Sequence, residues 1–258
     1  MISLIKKIGR TALGIKIRSL SGFKPIQFNL NFINKSLSVS DAFCWRTDNN
    51  FKTFFKFTDL LKFFYNTQDT AVDLIFYNYK NIKIKEYRIS NLKLSNEIII
   101  DKEFLGGIED YGTFYIYHNK IEEIKKKIII SNRCYVGFSK NDQLPSFLHG
   151  NTLVSYVKNN ENNVVKDKMI INTSIFMNQI YRIQNYFHKL DKVELFFCNP
   201  SSTKIKFKIN NIFQSLNTGH SIIINATNFD HINIRSNCHF LRPLIFSYKK
   251  NFIDVYHG

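Results

Sequence analysis

The sequence predicts an all-β protein, mainly antiparallel: two tandem, duplicated β-sandwich units behind a short basic N-terminal helix or arm. Three observations carry this. Short runs rich in β-branched and aromatic residues follow one another at intervals of roughly 8–12 residues. No regular strand–helix–strand alternation of the kind a parallel sheet needs is present. Blocks of similar sequence also recur in the same order in the two halves of the chain.

The elements are taken in order. Residues 1–40 form a basic extension. MISLIKKIGRTALGIKIRSL spaces Ile2, Ile5, Ile8, Leu13, Ile15 and Ile17 among Lys and Arg in a helical manner, without one clean stripe. Gly9 and Gly14 each weaken such a helix by roughly 1 kcal/mol relative to Ala. A basic apolar segment suits an anionic lipid surface, so peripheral membrane contact through residues 1–20 is expected. A transit segment, a nucleic-acid contact and a packed extension compete with it. Residues 21–40 contain Pro25 and read as a connecting arm.

The first unit spans 41–150. It contains VDLIFYN, the period-2 run IKIKEYRI, TFYIYH, KKIIIS and CYVGFS, all strand-like. Phe54 to Thr70 admits a short helix, and HNKIEEIKKK reads as a solvated loop or helical turn. Residues 151–177 include the Asn-rich KNNENNVVKDK and form a linker. The second unit, 178–258, strings VELFF, KIKFKI, SIIIN, HINIR, PLIFSY and FIDVYH at short spacing.

Four blocks support the repeat. Trp45-Arg46 with Asn49 and Phe51 parallels Tyr181-Arg182 with Asn185 and Phe187. Val72–Lys85 aligns without a gap on Val193–Lys206, with seven of 14 positions identical. Ile98–Ile100 parallels Ile222–Ile224. Ser131–Gly150 and Ser236–Gly258 both open with Ser-Asn, pass through Phe-Ser and close on His-Gly.

Composition bounds function loosely. With 44% hydrophobic residues, 25 Phe and 13 Tyr, there is ample core material. The net charge of +16 points to an anionic polymer or surface, although AT-rich codon usage inflates Lys without selecting for charge. The first 40 residues hold seven basic residues and no acid, so the excess elsewhere is mild and nucleic acid ranks below other polyanions. Cys44, Cys134, Cys198 and Cys238 form no CxxC pair, which excludes a zinc ribbon and fits reduced thiols in a cytoplasmic protein, peripheral to a membrane if residues 1–20 bind one. No run of 18 apolar residues would span a bilayer.

No nucleotide-loop, zinc-protease, nucleophile-elbow or calcium-loop motif occurs, so no cofactor, metal or catalytic residue is assigned. Gly106-Gly107 reads as a turn, and Glu109-Asp110 could pair with His118 as an acid–base set. Repeated polar residues are the better candidates. An Arg beside an aromatic ring binds carboxylate, sulfate or phosphate while the ring stacks on a sugar or base. This selects Trp45, Arg46, Tyr181 and Arg182. The paired His149 and His257 could serve equivalent ligand sites, with Asp254 near the latter and Arg242 at a strand edge. Against this, Arg46 and Arg182 could be core residues, and His-Gly could end a strand with Gly supplying the turn.

The expected function is non-catalytic binding or assembly, with an acidic or carbohydrate polymer as ligand. A hydrolase or transferase, glycan-active or other, with a site between the copies is the first alternative. A particle or filament component is the second.

Overall fold

The computed structural model describes residues 36–124, 128–132, 134–150, 154–158, 164–165, 173–183, 189–201, 203–238 and 241–258, and isolated positions between 8 and 17. The N-terminal segment read as membrane-contacting therefore lies outside the described residues, apart from those few positions. Among the described residues the fold is nearly all β, in five four-stranded sheets.

The first sandwich uses β2 (Phe43–Arg46), β3 (Phe51–Thr58), β4 (Ala71–Asn78), β5 (Lys83–Ser90), β6 (Ser95–Ile100), β7 (Tyr111–His118), β9 (Tyr135–Lys140) and β10 (Ser146–His149). Between β7 and β9 lies β8 (Ile129–Asn132). One sheet runs β2-β7-β4-β5 and the other β10-β9-β3-β6. Alternation makes the interior. In β3, Phe51, Thr53, Phe55 and Phe57 point inward while Lys52, Phe54, Lys56 and Thr58 point out. Phe55 meets Phe43 and Phe114 of the opposite sheet at ring-centroid distances of 4.9 and 4.8 Å.

The second sandwich uses β13 (Gln179–Ile183), β14 (Lys192–Cys198), β15 (Ile205–Ile209), β16 (Ile212–Leu216), β17 (Ser221–Asn225), β18 (Ile232–Ser236), β19 (Leu244–Lys249) and β20 (Phe252–His257). Its sheets run β13-β18-β15-β16 and β17-β14-β19-β20. Taken in chain order, the eight strands of each sandwich hydrogen-bond in the same spatial order: first-sixth-third-fourth in one sheet and fifth-second-seventh-eighth in the other. Val193, Leu195 and Phe197 pack against Ile205, Phe207, Ile232 and Ile234 to form the interior.

Three of the four sequence blocks fall on equivalent strands by this wiring. The longest gapless block does not. Val72–Asn78 lies on the third strand of its sandwich, but Val193–Cys198 lies on the second. Both are central strands buried on both faces, and such strands are near-continuous apolar runs wherever they sit. Similar surroundings, not equivalent positions, made these two stretches alike.

A fifth sheet, β12-β11-β1-β8, takes β1 (Leu37–Asp41), β11 (Val154–Lys158) and β12 (Val164–Val165) from regions read as arm and linker. β1 pairs parallel with β8 and antiparallel with β11. The short helix α1 (Leu60–Tyr65) lies within the segment expected to hold one, and the charged insertion contains a single 3-10 turn, Ile121–Glu123.

The two sandwiches share one apolar cluster. The outward face of β14, β19 and β20, carrying Phe196, Leu244, Phe246, Tyr248 and Val255, packs against the first sandwich and joins its core. Phe246 makes edge contacts with Phe51 at 5.8 Å and Phe138 at 4.9 Å.

Candidate functional site

Two polar arrangements among the described residues bear most directly on function: a buried ion-pair network between the sandwiches, and a basic groove on the second sandwich.

The network is centred on Arg46 at the end of β2, only 1% exposed. Its Nη1 donates to Glu194 Oε2 at 2.7 Å, and Nε and Nη2 donate to both carboxylate oxygens of Asp48 at 2.9 and 2.7 Å. The guanidinium also lies 4.2 Å from the Phe51 ring centroid and 4.8 Å from that of Phe246. Tyr248 donates to Glu194 at 2.6 Å, and Lys192 pairs with the other oxygen at 2.6 Å. Burial pushes the Glu194 carboxyl up, but Arg46 and the hydrogen bonds from Lys192 and Tyr248 win and hold it at about 2. Burial likewise pushes Arg46 down, and its acidic partners reverse the sign. With every charge opposed, and with Arg46 and Glu194 buried at its centre while Asp48 and Lys192 reach the surface, this network fastens one sandwich to the other.

The groove lies on the outward face of β13-β18-β15-β16 and encloses about 610 Å³. The alternation that buries Ile205, Phe207 and Ile209 turns Lys206 and Lys208 outward. In β18, burial of Ile232 and Ile234 turns Asn233 and Arg235 outward. Strand register then assembles the face: Arg182 opposite Asn233, Ile180 opposite Arg235, Arg235 opposite Lys208, and Lys208 opposite Phe213. Asn210 closes one end, donating to the His231 carbonyl at 2.9 Å and accepting from the Asn233 N–H at 2.9 Å. Among the described residues, Arg182, Lys208, His231 and Arg235 line the groove and no carboxylate does. Ile180 and Phe213 add apolar surface, 55% and 59% exposed. In the first sandwich the central strands of the corresponding face are buried, at Asp73, Ile75, Tyr77, Tyr115 and Tyr117, and only its edge strand β5 is open, at Glu86 and Arg88.

The sequence-selected residues therefore scatter. Trp45 is fully buried, its Nε1–H donating to the Tyr77 carbonyl at 2.9 Å, so its ring meets no ligand. Arg46 is consumed by the network. Tyr181 points inward, and its hydroxyl donates to the Gly258 carbonyl. Arg182 alone of the eight lines the groove. His149 is exposed at the end of β10, with its ring 4.6 Å from that of Tyr135. Arg242 is half-buried just before β19. Asp254 accepts a 2.8 Å hydrogen bond from Ser146 Oγ, which ties β20 to β10 across the two units, and His257 ends β20.

Arg182 lies on the far side of the second sandwich from Arg46, a sheet spacing of about 10 Å plus the side chains away. Arg46, Arg182, His149 and His257 thus do not converge on one cleft. Nor do Glu109-Asp110 pair with His118. Glu109 pairs with Lys102, and β7 carries the chain about 24 Å from Tyr111 to His118. His118 instead lies 3.9 Å from the Asp59 carboxylate.

The closing glycines also act differently from expectation. Gly150 is not in the left-handed region. A Cβ there would lie 2.3 Å from the Phe43 ring and 2.9 Å from Asp41 Oδ2. Close packing, not a turn, requires it.

Lys208, His231 and Arg235 do not recur in the first half of the chain, so the sequence repeat does not point to them. The signal was present in KIKFKI and HINIR, where period 2 puts the basic residues of each strand on one face. Among the described residues no group of three or more His, Cys, Asp and Glu is placed to hold a metal ion, and no helix is long and apolar enough to cross a membrane. No protein-family model, curated protein or solved structure matches this chain.

Proposed function

We propose that this chain is a non-catalytic binding protein of two duplicated β-sandwich units that holds an anionic polymer along the outward face of β13-β18-β15-β16. The observation that carries this is the basic groove itself. Lys208 stands directly opposite Arg235, a like-charge cross-strand pair that destabilises a sheet. No described carboxylate offsets it. An arrangement that costs stability is accounted for if the ligand supplies the missing negative charge. Neighbouring strands lie about 4.8 Å apart and like-facing residues along a strand about 7 Å apart, so Arg182, Arg235, Lys208 and Lys206 present cations at intervals suited to successive sulfates, carboxylates or phosphates. Ile180 and Phe213 offer apolar contact between the charges. The common wiring of the two sandwiches supports their reading as copies, of which the second keeps this face open.

Binding of a sulfated polysaccharide tests the proposal. Affinity should fall steeply between 50 and 200 mM salt, and the Lys208→Glu/Arg235→Glu double variant should bind at least about tenfold more weakly at low salt. Absence of binding at low salt to sulfated, carboxylated and phosphate polymers alike defeats it.

A further inference from the structure

The first sandwich carries a face of another kind. The outward side of β10-β9-β3-β6 is an aromatic layer. Register places Phe147, Gly137, Phe54 and Ile99 in one row across the four strands, and His149, Tyr135, Lys56 and Glu97 in the next. Tyr135 is 50% exposed, Ile99 49% and Phe147 38%. Gly137 sets the geometry. A Cβ at this position would lie 2.5 Å from Phe147 Cε1, so only glycine lets the Phe147 ring lie down over β9 towards Phe54, with centroids 6.3 Å apart. The Tyr135 and His149 rings pair beside them at 4.6 Å, inclined by 38°. Side chains that would otherwise stand upright form a low platform.

Its charges cancel, unlike those of the groove. Lys56 pairs with Glu97 at 3.5 Å while lying 4.6 Å from the Phe147 ring centroid, and Lys52 pairs with Asp142 at 2.6 Å. A polyanion gains nothing from such a face. Beside the platform, a hollow of about 420 Å³ is lined by Lys56, Thr58, Ser95, Ser131 and Tyr135, among others. Its volume falls within the few hundred cubic ångströms usual for small-molecule sites. Flat apolar rings fringed by hydroxyl, amine and carboxylate groups match one chemistry well. A pyranose presents C–H groups on one face and hydroxyls around its rim.

We infer that the outward face of β10-β9-β3-β6 is a binding platform for a neutral oligosaccharide, stacked on Tyr135 and Phe147 and hydrogen-bonded by Lys56, Glu97 and His149. It uses a different sheet of the other sandwich, so it stands or falls apart from the polyanion site.

The test uses the full chain and a panel of neutral gluco-, manno-, xylo-, galacto- and N-acetylglucosamine oligosaccharides, with binding measured by calorimetry and ligand-observed NMR in moderate salt. At least one class should bind, and Tyr135→Ala should weaken it by about tenfold or more, whereas Tyr135→Phe preserves the stacking and retains most affinity. Ile99→Lys, at a half-exposed position, provides a second variant should Tyr135→Ala fold poorly, and it should weaken binding as well. Lys208→Glu should leave neutral-sugar affinity unchanged. Binding of no neutral oligosaccharide at millimolar concentration overturns the inference. So does a wild-type oligomer that Tyr135→Ala or Ile99→Lys converts to a monomer, because the platform is then a contact between copies of this chain.

Discussion

Burying a guanidinium is tolerable only when its N–H groups are met and its charge is opposed. Arg46 satisfies both conditions through Asp48 and Glu194, and Glu194 in turn accepts from Tyr248 and Lys192. Removing one side of such a pair strands the other. Glu194→Ala is predicted to destabilise the protein by about 3–5 kcal/mol in denaturant unfolding, whereas replacing Arg46 and Glu194 together by apolar residues of similar volume should cost much less. A single-variant loss below about 1 kcal/mol would contradict the buried-pair account. At Lys208 the prediction reverses. Lys208→Glu turns a repulsive cross-strand pair with Arg235 into an attractive one, so it should raise the melting temperature while cutting polyanion affinity about tenfold or more. A substitution that gains stability and loses binding separates a ligand site from a structural feature, and a lowered melting temperature would remove that separation.

At the scale of single elements, α1 shows how a side chain from a distant strand completes a helix. Its first N–H groups have no partner within the helix. Asp59 accepts from the Lys62 N–H at 3.0 Å, and His118 Nε2, from the end of β7, accepts from the Leu60 N–H at 3.3 Å. A histidine nitrogen can accept only when it carries no proton. Burial lowers the His118 pKa, Asp59 and Asn132 oppose that, and the balance leaves it at about 4, below the ordinary 6.5. The unfolded chain therefore takes up a proton that the fold refuses. The stabilisation is complete above pH 6.5 and is lost as pH falls towards 4, at a limiting slope of about 1.4 kcal/mol per pH unit. Glu194, lowered from 4.5 to about 2, adds a second loss below pH 4.5. Unfolding free energy measured against pH should fall in two stages, and His118→Gln, whose amide oxygen can still accept, should abolish only the upper one. Persistence of the upper stage in that variant would assign it to other groups.

Strand elements were the most legible part of the sequence, because alternation of apolar and polar residues is a local signal. IKIKEYRI and KIKFKI are strands with one polar face. Local signals fail where position in the fold decides. VDLIFYN and VELFFCN look alike because both are central strands, although they occupy different places in their sandwiches. Arg46 and Arg182 fill matching sequence slots and meet opposite fates, one fastened between units and the other facing water. What separates them is Glu194, which lies 148 residues from Arg46 and reaches it only through the packing of the two sandwiches. The aromatic platform was hidden for the same reason. Phe54, Tyr135, Phe147 and Gly137 come from three strands, and only register brings them together.

At the scale of the whole molecule, the two sandwiches are not independent beads. One apolar cluster runs from Phe43 and Phe55 through Phe51 to Phe246 and Val255. Unfolding is therefore predicted to be a single transition in denaturant, with tryptophan fluorescence from Trp45 in the first sandwich coinciding with the loss of β-sheet circular dichroism from both. Two separated transitions would show that the interface couples the units weakly. For the same reason residues 178–258 produced alone should aggregate, since Phe196, Leu244, Phe246 and Tyr248 would become a wet apolar patch.

That shared cluster also bears on how the chain is made. Phe246 and Tyr248, which cover Phe51 and Phe138, are synthesised about a hundred residues after β10. At 5–20 residues per second the first sandwich waits roughly 5–20 seconds on the ribosome with aromatic side chains uncovered. A nascent chain arrested shortly after residue 190 should therefore be cut by protease within 43–149 far faster than the released protein. The sandwich translated first thus completes its burial only together with the one translated second.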